Sequence, residues 1–231
     1  LDDKLDKVLR TLELLLTFTE DNSSTGEFEA AQSRAQALIT KYHIQEAQLG
    51  KVSKGQSFVP RRIEIDGPYA HNKVVLLNVI AKRNFCKVLK GRGYALVYGY
   101  ESDIDLVLSL YQLLLLHMTS EMATAYNSLY FTEEDVHPVS WKKSFLSGYA
   151  AEIGSRLDQV KDGLVGSVSG SSAVVLRDKQ HSLEVFWDQL PKGDKATCSV
   201  NSSDGYFSGR DSGTRADLGQ TRLKSTPALG R

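Results

Sequence analysis

The sequence predicts an α+β fold: an N-terminal helical hairpin, a small antiparallel sheet with packed helices, and a C-terminal helix and tail. Three observations predict it. RRIEID at 61–66 alternates polar and apolar residues, the period of a half-buried strand. FCKVLK and YALVYGY flank a GRG turn and read as a β-hairpin. Around them lie leucine-rich stretches, at 2–18 and in LVLSLYQLLLLHM at 106–118, that read as helices.

Taken in order, residues 2–18 form a first helix and EDNSSTGE, 20–27, a polar connector with a helix-start signature. Phe28, Ala31, Ala35, Leu38 and Tyr42 then recur at steps of three and four, one apolar face of a second helix. The two make an antiparallel hairpin over 1–50, expected to pack on the sheet through Phe28, Leu38 and Tyr42. KVSKGQSFVP, 51–60, is a linker. After the strand at 61–66 come a helix at 71–83, the hairpin, a long helix from 101 to about 130, and another that Pro138 restarts and that runs to about 162. GLVGSVSGSS reads as a loop, AVVL (173–176) as a short strand, and LEVFWDQL as a short helix. The resulting β-α-β-β-α-α-(β) order implies helices on one face of the sheet. The chain divides into a hairpin at 1–50, an α+β core at 61–188, and a Gly/Arg helix and tail at 205–231.

Of 231 residues, 41% are apolar and 24% charged, and formal net charge is zero, which argues against a general DNA coater. The neutrality hides segregation: residues 1–50 carry net −4, 51–100 net +8, 101–162 net −6 and 163–231 net +2. Such a basic segment suits an acidic partner or a limited nucleic-acid footprint, unless it is neutralised within the fold. Cys86 and Cys198 are too few and too far apart for a disulfide framework, so free thiols and a cytoplasmic location are expected. No signal-peptide pattern opens the sequence. The apolar run at 106–118 is too short to span a bilayer and reads as a core helix.

No catalytic residue, metal site, cofactor or small-molecule substrate is legible. The glycine-rich loop lacks the lysine of a phosphate-binding loop, and Val168 stands where a nucleophile elbow needs serine. Five scattered histidines and two cysteines fit no zinc spacing. Glu101, Asp103 and Asp105 crowd a helix start, where carboxylates ordinarily cap N–H groups and oppose the dipole. The basic hairpin at 82–100 offers Lys82, Arg83, Lys87, Lys90 and Arg92, with Tyr94, Tyr98 and Tyr100 on one strand face. Those tyrosines could stack bases, form a protein interface or pack beneath helices. In the tail, Gly205, Gly209 and Gly213 would form a smooth helical strip for close packing, with the helix running to about 218. Arg210, Arg215 and Arg222 would then face a partner, since arginine contacts carboxylate or phosphate bidentately.

EFEAAQSRAQALITKYHI, NFCKVL, ALVYGYESDIDLVLSLYQLLLLHM, WKKSFLSGYAAEIGSRL and GRDSGTRADLG…LKSTPALGR together resemble the actinobacterial and phage domain-of-unknown-function 2786 family. The likeness covers nearly the whole chain. Asn84 stands where the family theme has a glycine before cysteine, and the first helix is unusually rich in leucine. Some members look like recombination directionality factors, so the resemblance implies a non-enzymatic phage regulator. Its partner would be a site-specific recombinase, a large serine integrase on DNA, switched from integration to excision in a bacterial host. The alternatives are direct nucleic-acid binding through 82–100 and a cryptic metal-dependent or hydrolytic enzyme.

Overall fold

The computed structural model describes residues 3–11, 38–47, 57–129, 137–165, 171–191 and 199–216. Helical segments α1 (3–11) and α2 (38–47) come first. They are followed by β1 (Val59–Glu64), α3 (Ala70–Arg83), β2 (Lys87–Lys90), β3 (Tyr94–Gly99), α4 (Glu101–Leu129), α5 (Pro138–Val165), α6 (Ser171–Asp188) and α7 (Ser203–Arg215). The α+β class holds, with helices dominating a three-stranded antiparallel sheet of order β1-β3-β2.

The register pairs Arg61 with Val97 and Lys87 with Tyr98. Alternation along β3 buries Ala95, Val97 and Gly99 on the face toward α3 and α4, and turns Tyr94, Leu96 and Tyr98 the other way. The hairpin turn closes with Gly91 N–H donating to the Tyr94 carbonyl at 2.9 Å, and Gly93 supplies the positive φ of 79° that the turn requires.

The core joins Leu77 and Ile80 of α3, Leu106 and Leu110 of α4, and Phe145 and Tyr149 of α5, all sealed from solvent. Each such side chain stabilises the fold by about 1.5–3 kcal/mol relative to exposure. Ile39 and Tyr42 of α2 enter the same core, so the expected docking face is present at Tyr42, and Leu38 is half-buried. Phe28 lies outside the described residues. Leu5, Val8 and Leu9 of α1 also pack against this core.

By length and composition α4 could cross a membrane, yet its apolar residues Ile104, Leu106, Val107, Leu110, Leu113 and Leu114 lie in the core.

Two readings of local structure are corrected. AVVL at 173–176 is not a strand, and LEVFWDQL does not start a separate helix; both belong to α6. The β-branched pair Val174–Val175 favours a strand locally. The longer stripe Leu176, Lys179 and Leu183, all buried, has helical spacing and prevails. The helices are also not confined to one face of the sheet. Phe186 and Trp187 at the end of α6 cover the tyrosine face.

Candidate functional site

The basic segment separates on folding into paired and unpaired cations. Arg61 on β1 bonds Asp105 and reaches Glu101 at 3.3 Å. Arg62 holds Glu64 at 2.6 Å, and Arg83 grips Asp158 through two bonds of 2.9 and 2.6 Å. The Arg61 and Arg83 pairs neutralise the basic segment against the acidic one, whereas Arg62–Glu64 lies within the basic segment. Lys82, Lys87, Lys90 and Arg92 have no carboxylate partner among the described residues; Lys90 Nζ lies 3.0 Å from His71 Nδ1. Lys87 and Lys90 sit on β2, an edge strand with no further strand beyond it among the described residues. An edge strand exposes unpaired backbone donors and acceptors, and lysines there discourage indiscriminate pairing.

The tyrosines do not form an open platform. Tyr100 stacks on Phe58 at 4.4 Å between ring centroids, and Phe58 meets Phe186 at 5.0 Å. Tyr98 lies against Phe186 and Trp187 at 6.1 and 5.7 Å. Tyr94 carries the Arg62 guanidinium 3.9 Å above its ring. Of the readings open for these side chains, packing beneath a helix is what Tyr98 and Tyr100 do.

Arg210 and Arg215 of the tail pair with acidic side chains of the fold while staying about half exposed, 49% and 48%. Arg210 donates Nε and Nη2 to Glu152 of α5 at 3.0 and 2.8 Å. Arg215 bonds Glu121 of α4 at 3.0 Å, and Asp211 and Ser212 of its own helix. They anchor α7, while Arg222 lies outside the described residues. The glycine strip is where the spacing places it. A Cβ on Gly205 would lie 2.6 Å from the Trp141 carbonyl oxygen, and one on Gly209 would overlap the Phe145 carbonyl. The helix ends at Arg215, with Ser202 capping its start by accepting from Gly205 N–H at 3.2 Å.

The acidic trio at the start of α4 diverges. Asp105 and Glu101 turn to Arg61, whereas Asp103 points inward instead of capping the helix. Asp103 Oδ1 accepts from Lys179 Nζ of α6 at 2.9 Å and lies 3.0 Å from His43 Nε2 of α2. Lys179 also donates to Glu46 of α2 at 2.9 Å, with the rings of Phe85 and Tyr100 at 5.0 and 5.4 Å. All four polar side chains are buried. Burial pushes the Asp103 carboxyl up, but Lys179 and His43 outweigh it and hold it below the ordinary value. Burial likewise pulls the Lys179 ammonium down, and Asp103 and Glu46 more than reverse that. Asp103 Oδ2 is left without a hydrogen-bond partner.

Sequence reasoning missed this cluster. The available signal was polar residues on apolar helical stripes: Lys179 between Leu176 and Leu183, and His43 and Glu46 following Ile39. Reading 173–176 as a strand concealed the first stripe.

Beside the cluster, a cleft of ≈ 200 Å³ is lined by Thr40, His43 and Ile44 of α2, Phe85 after α3, and Leu176 and Arg177 of α6, among others. The left-handed conformation at the end of α3 falls on Phe85 (φ 54°), not on Asn84 (φ −124°). Asn84 stays in place by donating Nδ2–H to the Ile80 carbonyl at 2.9 Å. Phe85 brings its ring edge-on to His43, with centroids 5.0 Å apart.

Cys86 is a buried free thiol whose pKa is raised by burial and, secondarily, by Asp103; Cys198 lies outside the described residues. Among the described residues no group of three His, Cys, Asp or Glu is placed to hold a metal ion. No protein-family model matches this chain, and neither a curated protein nor a solved structure matches it.

Proposed function

We propose that this protein is a non-enzymatic regulator that docks on a DNA-processing partner through the basic open edge of its sheet. By the motif resemblance, the partner is a large serine integrase in the cytoplasm of a bacterial host, and docking switches it from integration to excision. One observation supports this reading above the others. Folding consumes Arg61, Arg62 and Arg83 in internal pairs but leaves Lys82, Lys87, Lys90 and Arg92 without acidic partners among the described residues, along β2 and its flanks. Unpaired cations beside free backbone groups suit an acidic protein surface.

Direct binding to duplex phosphates is the second reading, favoured by the same four cations. Base stacking is disfavoured because α6 covers Tyr98 and Tyr100. The test compares the protein with a Lys87→Glu/Lys90→Glu/Arg92→Glu variant in pull-down and recombination assays with the candidate integrase, and in titrations of random duplex DNA. The proposal expects integrase binding and excision to be lost in the variant while the wild type ignores random DNA. Steeply salt-dependent binding to random DNA alone would favour the second reading. Unchanged integrase binding by the variant would remove the edge from the account.

A further inference from the structure

We infer that the open edge of β2 takes its partner as an added antiparallel strand whose sequence reads acidic, apolar, apolar, acidic. This rests on the proposed docking through the basic edge and specifies how that docking is built. The first support is where the backbone groups of β2 point. Along an antiparallel pair, residues alternate between those bonded to the neighbouring strand and those turned away from it. The hairpin fixes the phase. Gly91 N–H donates to the Tyr94 carbonyl at 2.9 Å, and on the β1 side Ile65 N–H donates to the Gly93 carbonyl at 3.0 Å. Counting back through the register, Leu89 opposite Leu96 and Lys87 opposite Tyr98 are the residues bonded to β3. Val88 and Lys90 therefore turn their N–H and C=O groups to the open edge, where among the described residues they meet no further strand. The free run ends at Cys86, whose N–H is taken by the Ala81 carbonyl at 3.0 Å. Such outward groups hold an extended segment by main-chain bonds.

The side chains of β2 set the sequence of that segment. Lys87 and Leu89 share the face of Tyr98 and Leu96, and Val88 and Lys90 share the face of Val97 and Ala95. Each face thus offers one cation and one apolar side chain. Val88 and Leu89 are only half-buried, so each has apolar surface left for a cross-strand neighbour. Lys87 and Lys90 have no carboxylate partner among the described residues. In an added strand the residues opposite the two lysines lie three apart, on opposite faces, and acidic residues there stabilise the pairing. The two positions between them meet Leu89 and Val88 and call for apolar residues.

The same pattern disfavours other occupants. Antiparallel pairing of two β2 edges would set Lys87 against Lys90 at both ends, and like charges directly opposite destabilise a sheet. A phosphate backbone uses the cations but has no donor for the outward carbonyls.

The probe is the end-capped peptide Thr-Glu-Val-Val-Glu-Thr, titrated into isotopically labelled full-length protein and followed by amide NMR and hydrogen exchange. Saturable binding is expected, with exchange slowed at Val88 and Lys90 and little changed at Lys87 and Leu89, whose N–H groups are bonded already. Replacing both peptide glutamates by lysine should weaken binding about tenfold. N-methylation of the first glutamate and second valine, whose N–H groups face β2, should weaken it as much. N-methylation of the first valine and second glutamate should be tolerated. The inference is overturned if millimolar peptide does not bind, if the lysine peptide binds as well, or if the two N-methylation patterns act alike. Slow exchange at Val88 and Lys90 in the free protein overturns it too: dependent on protein concentration it marks a second copy at the edge, and otherwise a segment of this chain. Docking through the basic edge survives any of these results if Lys87→Glu/Lys90→Glu/Arg92→Glu still abolishes integrase binding. Unchanged integrase binding by that variant removes the docking reading and, with it, this inference.

Discussion

Lys179 occupies a position that the rest of α6 marks for an apolar side chain. Removing an ammonium from water costs several kcal/mol even after relaxation, so such a residue persists only with close partners. Here two carboxylates stand 2.9 Å from its nitrogen, and they tie α6 to α2 and to the start of α4. The shifts of the two central partners agree in direction: Asp103 is held down and Lys179 held up, as both must be if each stabilises the other's charge. Lys179→Met should therefore destabilise the protein by about 3–5 kcal/mol, because it strands Asp103 and Glu46 in the interior. Urea unfolding measures the loss. Adding Asp103→Asn to that variant should recover part of it, since one stranded charge is then gone. A single variant within about 0.5 kcal/mol of wild type would mean the cluster is hydrated enough to be dispensable.

Helices α5 and α7 illustrate how an element's packing can be written in very few residues. Gly148 of α5 faces the Tyr206 carbonyl, and Gly205, Gly209 and Gly213 of α7 face Trp141, Phe145, Tyr149 and Glu152, so neither helix has room for side chains at the crossing. Gly209→Ala would place a methyl group on a backbone carbonyl, which cannot rotate aside as a side chain can. A loss of about 1–3 kcal/mol is expected in thermal or urea unfolding. Phe207→Ala, at a side chain 63% exposed on the same helix, should change stability by less than about 0.5 kcal/mol. If both changes cost the same, the close approach does not govern the docking of α7. This strip is legible in the sequence because spacing by four means something on a helix and little elsewhere. The hairpin, α4 and the restart at Pro138 are legible for similar reasons: strong periodicity and clear breakers. Fates that depend on distant segments are not. Asp103 and Asp105 look alike at a helix start, and only the arrival of Lys179 for one and Arg61 for the other separates them. Tyr98 and Tyr100 share a strand face in either state, and only α6 and Phe58 cover them. Arg210 and Arg215 look available for a partner until Glu152 and Glu121 are placed beneath them.

One hydrophobic core collects side chains from Ile39 of α2 to Ala216 at the end of α7, while Leu176 of α6 packs in a small separate cluster with Ala47 and Phe85, so the elements that share the larger core should respond together when one buried group is titrated. His117 is that group. It lies in the core beside Tyr149, with Nδ1 2.7 Å from the phenolic oxygen. Burial pulls its pKa down to about 4, and the cations of Arg215 and Arg156 act in the same direction against the opposing pull of Glu121. An unfolded histidine takes up its proton near pH 6.5, while the folded one resists until about 4. Between those values the unfolded chain binds more protons, so stability falls as pH falls. The loss amounts to roughly 3 kcal/mol across the window at 1.36 kcal/mol per unit of difference. Asp103 contributes in a different range: its depressed pKa keeps its stabilisation intact above its ordinary 3.8, to be lost only in stronger acid. Urea unfolding at pH 7 and at pH 4.5 should therefore show a clear drop in wild type, and far-UV and tryptophan signals should fall together at each pH. His117→Gln retains a polar group for Tyr149 but has nothing to titrate, so its stability should change much less between the two pH values. An equal drop in wild type and variant would place the acid sensitivity elsewhere, and separated optical transitions would mean that the helices flanking the sheet unfold on their own.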